Sequence, residues 1–228
     1  MSDTGVAPSR VLALLDDAAA GVAALELSSA LAQVLQRELA VVYVESARSL
    51  VAAGLPFTQV LSHAGSPWRA FSPQDVERGF RAHEAQLREM AARIALRHAV
   101  TWSLQVMRGS LAGAAADLWT EADLLLLAGS PALKPPAVGP ERKVRRRPVV
   151  AVVSEGSEAG ERALRIAAQF AQALAGVVEA ASVATAAQLV GKAGTLASLA
   201  RCEVLVLPRA TLDPAALALL RGPVLLVG

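Results

Sequence analysis

One short stretch near the start of the chain limits the possible folds more than any other. The run Val11–Leu15 is entirely apolar, and two acidic residues, Asp16 and Asp17, follow it at once. A continuous apolar run of this length is typical of a strand that is covered on both faces, as in a parallel sheet. Residues 149–153 form a second such run, and a polar pair follows it at 154–155. We therefore expect an α/β fold in which two equivalent strands organise the sheet.

The segments that follow these two strands are also alike. Residues 160–166 (GERALRI) align with residues 21–27 (GVAALEL), so the helix after each strand is repeated. Beyond each helix a valine pair begins the next strand, at 41–42 and at 177–178. A strand–helix–strand unit this compact is expected to be parallel, with a right-handed crossover. The pattern predicts two unequal copies of one plan.

The two copies differ in their later elements. The first copy continues into a long helix and a third strand before its fourth strand at 124–127. The second copy lacks that helix and third strand, and after a strand at 202–207 it ends with a short helix near 214–220 and a final strand at 223–227. We predict two tandem α/β-sandwich units with mostly parallel sheets, the second of them truncated.

A proline-rich stretch separates the two units. Residues 131–148 hold five prolines and the basic run 142–147 (RKVRRR). This composition is typical of a linker, so the predicted domains are 1–130 and 149–228. We interpret the basic run as a solvated part of the linker. The alternative is contact with nucleic acid, acidic lipid or an acidic partner protein.

Composition excludes several classes of protein. Hydrophobic residues make up 54% of the 228, too many for a disordered chain, and the formal net charge of +2 predicts no nucleic-acid partner. The single cysteine, Cys202, forms no internal disulfide, and we interpret it as a packing thiol. The sequence shows neither a signal peptide nor an uncharged apolar run of ~18–20 residues. We therefore expect a cytoplasmic protein without membrane insertion.

Two motifs of the first unit predict where helices begin. Ser72, followed by a proline and by an aspartate at the third helical position, predicts a capped helix that ends near residue 98. The strand at 101–106 leads to Arg108 and Gly109, where the tight turn into the next helix offers backbone amides to an anion. The alternative is a plain turn that carries a surface arginine.

An irregular segment, residues 54–71, interrupts the first unit, and we refer to it as the excursion. It holds a large share of the few aromatic residues, namely Phe57, Trp68 and Phe71. Long loops in compact domains are often functional. We interpret the excursion as a cover of packed hydrophobic side chains over the sheet edge. The alternative is a contact with a partner or with a second copy of the chain.

The order of these features resembles the universal stress protein family, in tandem form. The likeness rests on the strand that ends in an acid (11–16), the VVYVE strand (41–45), the excursion and long helix, the strand that ends at Gly109, and the segment ADLLLLAGS (122–130). It covers most of residues 10–130 and, more weakly, 148–228. The resemblance implies a nucleotide-binding fold of the HUP type for both units, and dimerisation.

The resemblance also implies a nucleotide site at the carboxyl ends of the strands. An acid at the position of Asp16 contacts the nucleotide in that family, and the adenine lies near the second strand. The candidate binding residues, all of them in or after strands of the first unit, are Asp16, Asp17, Val42, Val44, Arg108, Gly109, Gly129 and Ser130. No spacing of histidines, cysteines or acids resembles a metal site.

The phosphate loop of the family is incomplete in this chain. Members that bind ATP carry a glycine, two residues, a glycine, nine residues, a glycine, and then Ser or Thr. Only Gly129 and Ser130 match its beginning, and residues 208–210 (PRA) replace the glycines in the second unit. We expect no ATP site of the family type and no cofactor. A degenerate site for ATP or AMP is the alternative.

These observations predict a non-catalytic protein of stress response or regulation that acts through protein association. No Ser/His/Asp set, pair of catalytic carboxylates or dinucleotide glycine fingerprint is present, so we do not expect an enzyme. The alternative function is that of a nucleotide-binding switch with a degenerate phosphate loop. The expected partner is another protein or a second copy of the chain.

Overall fold

A computed structural model of the protein describes residues 10–16, 18–60, 68–118, 123–128, 147–154, 156–182, 204–211 and 223–228. These residues form an α/β structure. Its helices are α1 (Ala18–Leu35), α2 (Ala47–Gly54), α3 (Pro73–His98), α4 (Leu111–Asp117) and α5 (Glu158–Ala173), with a 3-10 turn at Arg209–Thr211. Its strands are β1 (Val11–Leu15), β2 (Leu39–Ser46), β3 (Gln59–Val60), β4 (Arg69–Ala70), β5 (Trp102–Gly109), β6 (Leu124–Ala128), β7 (Val149–Ser154), β8 (Val177–Ser182), β9 (Val204–Pro208) and β10 (Pro223–Val227).

Eight of these strands form one mixed, mostly parallel sheet. Their order is β5-β2-β1-β6-β10-β9-β7-β8, while β3 and β4 form a separate antiparallel hairpin. Neighbours are parallel throughout the large sheet except at β6 and β10, which pair antiparallel with Leu126 opposite Leu225. The sheet therefore runs through both predicted domains. Because its two parallel parts run in opposite directions, the carboxyl ends of the strands in one part lie beside the amino ends of the strands in the other.

Helices cover the sheet on two faces. Side chains alternate along each strand, so that in β1 Val11, Ala13 and Leu15 point to one face while Leu12 and Leu14 point to the other. The first face packs against α1, α3 and α5, and among the described helices α4 packs against the second face. Every residue of β1 and β6 is buried, which explains why both strands are continuous apolar runs.

The long helix α3 confirms the prediction made from its capping motif. The Ser72 hydroxyl accepts a hydrogen bond from the Asp75 amide (3.3 Å), and the Asp75 carboxylate accepts one from the Ser72 amide (3.3 Å). This reciprocal capping box satisfies two amides at the start of the helix. The helix ends at His98, because Ala99 adopts a left-handed conformation (φ 53°).

Helix α1 is shorter than the sequence predicts. The apolar pattern indicates a helix over about 20–39, but α1 ends at Leu35 and β2 already begins at Leu39. Gln36 adopts a left-handed conformation (φ 53°), and the Arg37 amide donates to the Ala32 carbonyl (2.9 Å), as in a Schellman motif. The chain thus turns into β2 without the glycine that usually marks such an end. In the described part of the chain, no helix is both long enough and apolar enough to cross a membrane.

Candidate functional site

The connections between the strands define a switch point at the carboxyl end of β1. From β1 the chain passes to β2 and then to β5 at the edge of the sheet, and the connecting helices α1 and α3 lie on the first face. From β5 the chain returns to β6, on the other side of β1, through α4 on the second face. The direction of winding therefore reverses between β1 and β6. In open α/β sheets, ligands bind in the crevice outside the carboxyl ends of the strands at such a point.

Asp16 lies at this switch point, directly after β1, and it is half-buried. Leu14, two residues before Asp16, points to the second face, and β1 ends at Leu15, before Asp16. Val42 and Val44 of β2 point to that face as well, but each is only 1% exposed and packs in the apolar cluster beneath α4. Two of the predicted site residues, Val42 and Val44, are therefore buried core residues on one face.

Arg108 lies on the opposite face of the sheet. It pairs in register with Glu45 of β2, and its Nε and Nη2 atoms donate to one carboxylate oxygen of Glu45, Oε2, at 3.1 and 2.9 Å. The Glu45 side chain is 11% exposed, against 56% for Arg108. Tyr43 and Glu45 are two residues apart in β2, so their side chains point to the same face of the sheet. Because Tyr43 packs on the first face, this ion pair points away from Val42 and Val44, which pack on the second face. The structure thus separates Arg108 from the other predicted residues.

Gly109 ends β5, and the helix that follows is short. Ser110 caps α4, accepting a hydrogen bond from the Gly113 amide at 3.1 Å. The helix has only seven residues, and its cap already uses one of the exposed amides. The turn after Arg108 therefore has the features of an ordinary capped helix start, which was the alternative interpretation of the sequence.

Three of the predicted site residues, Asp17, Gly129 and Ser130, lie outside the described residues, as do the strand end at 129–130 and most of the linker. Within the described ranges, no cluster of three or more His, Cys, Asp or Glu side chains is arranged to hold a metal ion. A groove of about 510 Å³ lies between α1 and α3, lined by Val22, Met90 and Ile94 among others. This groove lies in the layer of helices, and the residues that line it are not those predicted for the site.

The described parts of the excursion, residues 54–60 and 68–71, belong to elements that the sequence did not predict. Helix α2 precedes it and packs through Ala53 against Val76 and Phe80 of α3. The hairpin β3–β4 follows, and the Thr58 hydroxyl donates to the Ala52 carbonyl at 2.8 Å, which ties the base of the hairpin to α2. Phe71 packs beside the cluster that contains Ala53. Phe71 is therefore packed, but against a cluster of α2 and α3 residues that contains no strand residue, and not over the sheet edge as expected.

The other aromatic residues of the excursion are exposed, contrary to that expectation. The exposed fraction is 96% for Phe57 and 65% for Trp68, and two aliphatic neighbours, Val51 and Leu55, are 67% and 58% exposed. We refer to these four residues as the exposed patch. Phe57 also adopts a left-handed conformation (φ 76°), which is uncommon for a bulky side chain. Strained residues of this kind concentrate at functional sites.

Comparison with known proteins does not add to these observations. No protein-family model matches the chain, and no curated protein matches it. The assignment of function therefore depends on the residues and the geometry described above.

Proposed function

We propose that this chain is a non-catalytic regulatory protein, similar to universal stress proteins, that acts by binding another protein through the exposed patch. The observation that carries the proposal is the exposure of Phe57, Trp68, Val51 and Leu55 within one small structural unit. A contiguous apolar patch on a protein surface marks an interaction site, whereas scattered single apolar residues are ordinary. Phenylalanine and tryptophan are also enriched in protein–protein interfaces.

The size of the patch is consistent with this role. Burying one large apolar side chain contributes about 1.5–3 kcal/mol, so four such side chains supply roughly 6–12 kcal/mol before the cost of association. That cost is on the order of 4–15 kcal/mol. The patch by itself therefore supports a reversible contact, which suits a regulatory protein.

We also propose that the chain consists of two related units that pair within one molecule. The first pair of strands joins Val11 to Leu39 and the second joins Val149 to Val177, a separation of 28 residues in both cases (39 minus 11, and 177 minus 149). In the first part β1 lies between β2 and β6, and in the second part β7 lies in the same way between β8 and β9. This agreement supports a duplicated plan of the universal stress protein type, with β10 of the second unit beside β6 of the first.

A second candidate function is that of a nucleotide-binding switch. The observation that favours it is the position of Asp16 at the switch point between β1 and β6. A thermal-shift titration with millimolar ATP and AMP separates the two functions, since a ligand that binds the folded state raises its melting temperature. A shift that is lost in Asp16→Asn would favour the nucleotide switch over association.

Photo-cross-linking tests the association directly. We suggest placing a benzophenone amino acid at Phe57 in cells that express the full chain, and at Leu96 as a matched control. Leu96 is another exposed apolar side chain, 82% accessible, and it lies outside the exposed patch. Discrete adducts at position 57 and none at position 96 are expected. The absence of adducts at position 57, or equal labelling at both positions, would contradict the proposed function.

A further inference from the structure

We propose that β5 pairs with β5 of a second copy of this chain, antiparallel about a twofold axis at Gln105, so that the large sheet continues from one copy into the other. The observation that points to this pairing is the free side of β5. Among the described residues, β5 pairs with β2 alone and forms one edge of the large sheet. None of the residues of the exposed patch belongs to β5, so the pairing is independent of the proposed function.

The contacts of β5 with β2 identify the backbone groups on its free side. The Thr101 carbonyl accepts a hydrogen bond from the Leu39 amide at 2.9 Å, so the backbone of Thr101 faces β2. Along a strand, the amide and carbonyl of one residue face the same side, and this side alternates from residue to residue. The residues whose amides and carbonyls face away from β2 are therefore Trp102, Leu104, Val106 and Arg108. Such a row of donors and acceptors is a template for another strand.

Edge strands usually carry features that prevent this kind of pairing, and β5 has few of them. Common features are a short length, a bulge, a proline or a charged side chain, above all lysine. β5 has 8 residues, each of them in register with a residue of β2, and it contains neither proline nor lysine. Its one charged residue, Arg108, is already bound to Glu45. Nothing in β5 itself therefore opposes pairing along its whole length.

The backbone of β5 matches itself when two copies run antiparallel. With the axis at Gln105, Leu104 of one copy lies opposite Val106 of the other, and Trp102 lies opposite Arg108. Residues paired in this way exchange two hydrogen bonds, which gives about eight hydrogen bonds in all. An axis at 104 or at 106 leaves one outward-facing residue of each copy without a partner in β5. The axis at Gln105 therefore gives the longest pairing.

The side chains favour the same register. The four outward-facing residues align with β2 residues of the first face, namely Leu39, Val41, Tyr43 and Glu45. They therefore point to the first face too, where the pairing brings Leu104 against Val106, each only partly covered within one copy. The Arg108 guanidinium is 56% exposed and donates to Glu45 through its in-plane nitrogen atoms, which leaves its flat face for the Trp102 ring. Cross-strand pairs of these kinds stabilise a sheet, and β5 itself supplies both members of each.

The other edge of the sheet, β8, fits this role less well. The Val177 amide faces β7, where it donates to the Pro148 carbonyl. The residues of β8 that face away from β7 are therefore Val178, Ala180 and Ser182. An axis at Glu179 places two carboxylates opposite each other, which destabilises a strand pair. An axis at Ala180 avoids this, but it gives about six hydrogen bonds and sets Val178 opposite a serine.

Cysteine cross-linking tests the register. With the axis at Gln105, the two Gln105 residues form a non-hydrogen-bonded pair with Cα atoms about 4.5 Å apart, a distance that a disulfide spans. Gln105→Cys, in a Cys202→Ala background, is therefore expected to give a disulfide-linked dimer on mild oxidation. Ser103→Cys is the matched control, since both side chains are exposed and point to the second face. Two copies of residue 103 lie about 14 Å apart in this register, so about tenfold less dimer is expected.

Proline substitution tests whether the free side of β5 carries the contact. Val106→Pro removes an outward-facing amide and none of the hydrogen bonds to β2, and edge strands tolerate proline at such positions. Sedimentation velocity is expected to show a dimer for the full wild-type chain and association about tenfold weaker for Val106→Pro. Ala180→Pro, the equivalent change on the free side of β8, should leave the dimer unchanged.

Three results would overturn the inference. One is a wild-type chain that stays monomeric at every concentration measured. Another is a dimer that Val106→Pro leaves unchanged, or that Ala180→Pro weakens equally. The third is equal cross-linking at positions 103 and 105. If circular dichroism shows that Val106→Pro is unfolded, the two cysteine variants decide, because neither removes a backbone amide. Adducts at position 57 test the proposed function separately, so the failure of one is distinguishable from the failure of the other.

Discussion

The Nε2 atom of His98, at the end of α3, lies 3.3 Å from the Oε2 atom of Glu26 on α1, and this contact joins two helices that are far apart in sequence. Arg97 forms an ion pair with the same carboxylate. The other ring nitrogen of His98 lies 3.0 Å from the Oε1 atom of Gln33, which is about two helical turns from Glu26 on α1. The polar cluster thus fixes how α3 lies along α1 on the first face of the sheet.

This cluster predicts a dependence of stability on pH. Partial burial opposes ionisation of Glu26, but hydrogen bonds and positive charge from Arg97 and His98 outweigh it and hold the pKa of Glu26 below its ordinary value of 4.5. A carboxyl with a lowered pKa stabilises the fold above that ordinary value, and the contribution is lost as the pH falls through the folded-state pKa. The stabilising contribution is expected to be about 0.5–1 kcal/mol at neutral pH, because the side chains are partly exposed.

Urea unfolding of wild type and Glu26→Gln between neutral pH and about pH 3 measures this contribution. The two curves should differ at neutral pH and converge at acidic pH. Glu89→Gln is the control, since Glu89 and Arg93 are both exposed and 3.9 Å apart, and it should leave stability unchanged. A difference between wild type and Glu26→Gln that persists at acidic pH would show that the effect comes from packing.

The ion pair of Arg108 and Glu45 supports a second prediction, on the role of Arg108. The Glu45 carboxylate is largely buried, so Arg108→Met is expected to cost about 1–3 kcal/mol of unfolding free energy. Changing both residues, as Arg108→Met/Glu45→Gln, should recover part of that loss, because no buried charge then lacks its partner. A double-mutant cycle by chemical denaturation measures the coupling. An unchanged stability in Arg108→Met would contradict a stabilising role for this ion pair.

The elements that the sequence predicts well are those set by local patterns. The buried strand predicted at 124–127, the capped start of α3 and the final strand at 223–227 follow from apolar runs and from one serine–proline–aspartate motif. These features depend on residues that are close in the chain. The α/β class and the parallel pairing of β1 with β2 were predicted from the same patterns.

Features that depend on distant residues were predicted poorly. The sequence suggested that Arg108 faces a ligand, but its charge is directed to Glu45, a partner 63 positions away that only strand register brings close. It also suggested that Phe57 and Trp68 are packed, because apolar residues are usually buried, but both are exposed. The end of α1 was misplaced because Gln36, and not a glycine, takes the left-handed conformation.

Two glycines in helices give a third prediction, because replacing each by alanine is expected to change the stability of the protein in opposite directions. A Cβ atom at Gly21 of α1 would lie 2.8 Å from the Cδ2 atom of Leu87, which is fully buried, whereas at Gly79 of α3 nothing lies within 4 Å. Gly21→Ala is therefore expected to destabilise the protein by about 1 kcal/mol, since overpacking costs more than the gain in helix propensity. Gly79→Ala should stabilise it by about 0.5–1 kcal/mol. Denaturant unfolding measures both, and equal stabilisation by the two changes would contradict the close packing of α1 on α3.

The start of β8 gives a fourth prediction, on the pairing of the strands after the linker. A Cβ atom at Gly176 would lie 2.4 Å from the carbonyl oxygen of Pro148, and that oxygen also accepts a hydrogen bond from the Val177 amide at 2.8 Å. Because the obstructing atom belongs to the backbone, no side-chain rotation relieves the clash, and Gly176→Ala must displace β8 from β7. A loss of more than about 2 kcal/mol is expected, together with faster hydrogen exchange of the β8 amides.

The matched change Gly54→Ala, where a Cβ atom meets nothing within 4 Å, should alter stability by less than about 0.5 kcal/mol. If both changes were equally mild, β8 would not begin beside Pro148, and the parallel pairing of β7 with β8, on which the proposal of two related units depends, would be wrong.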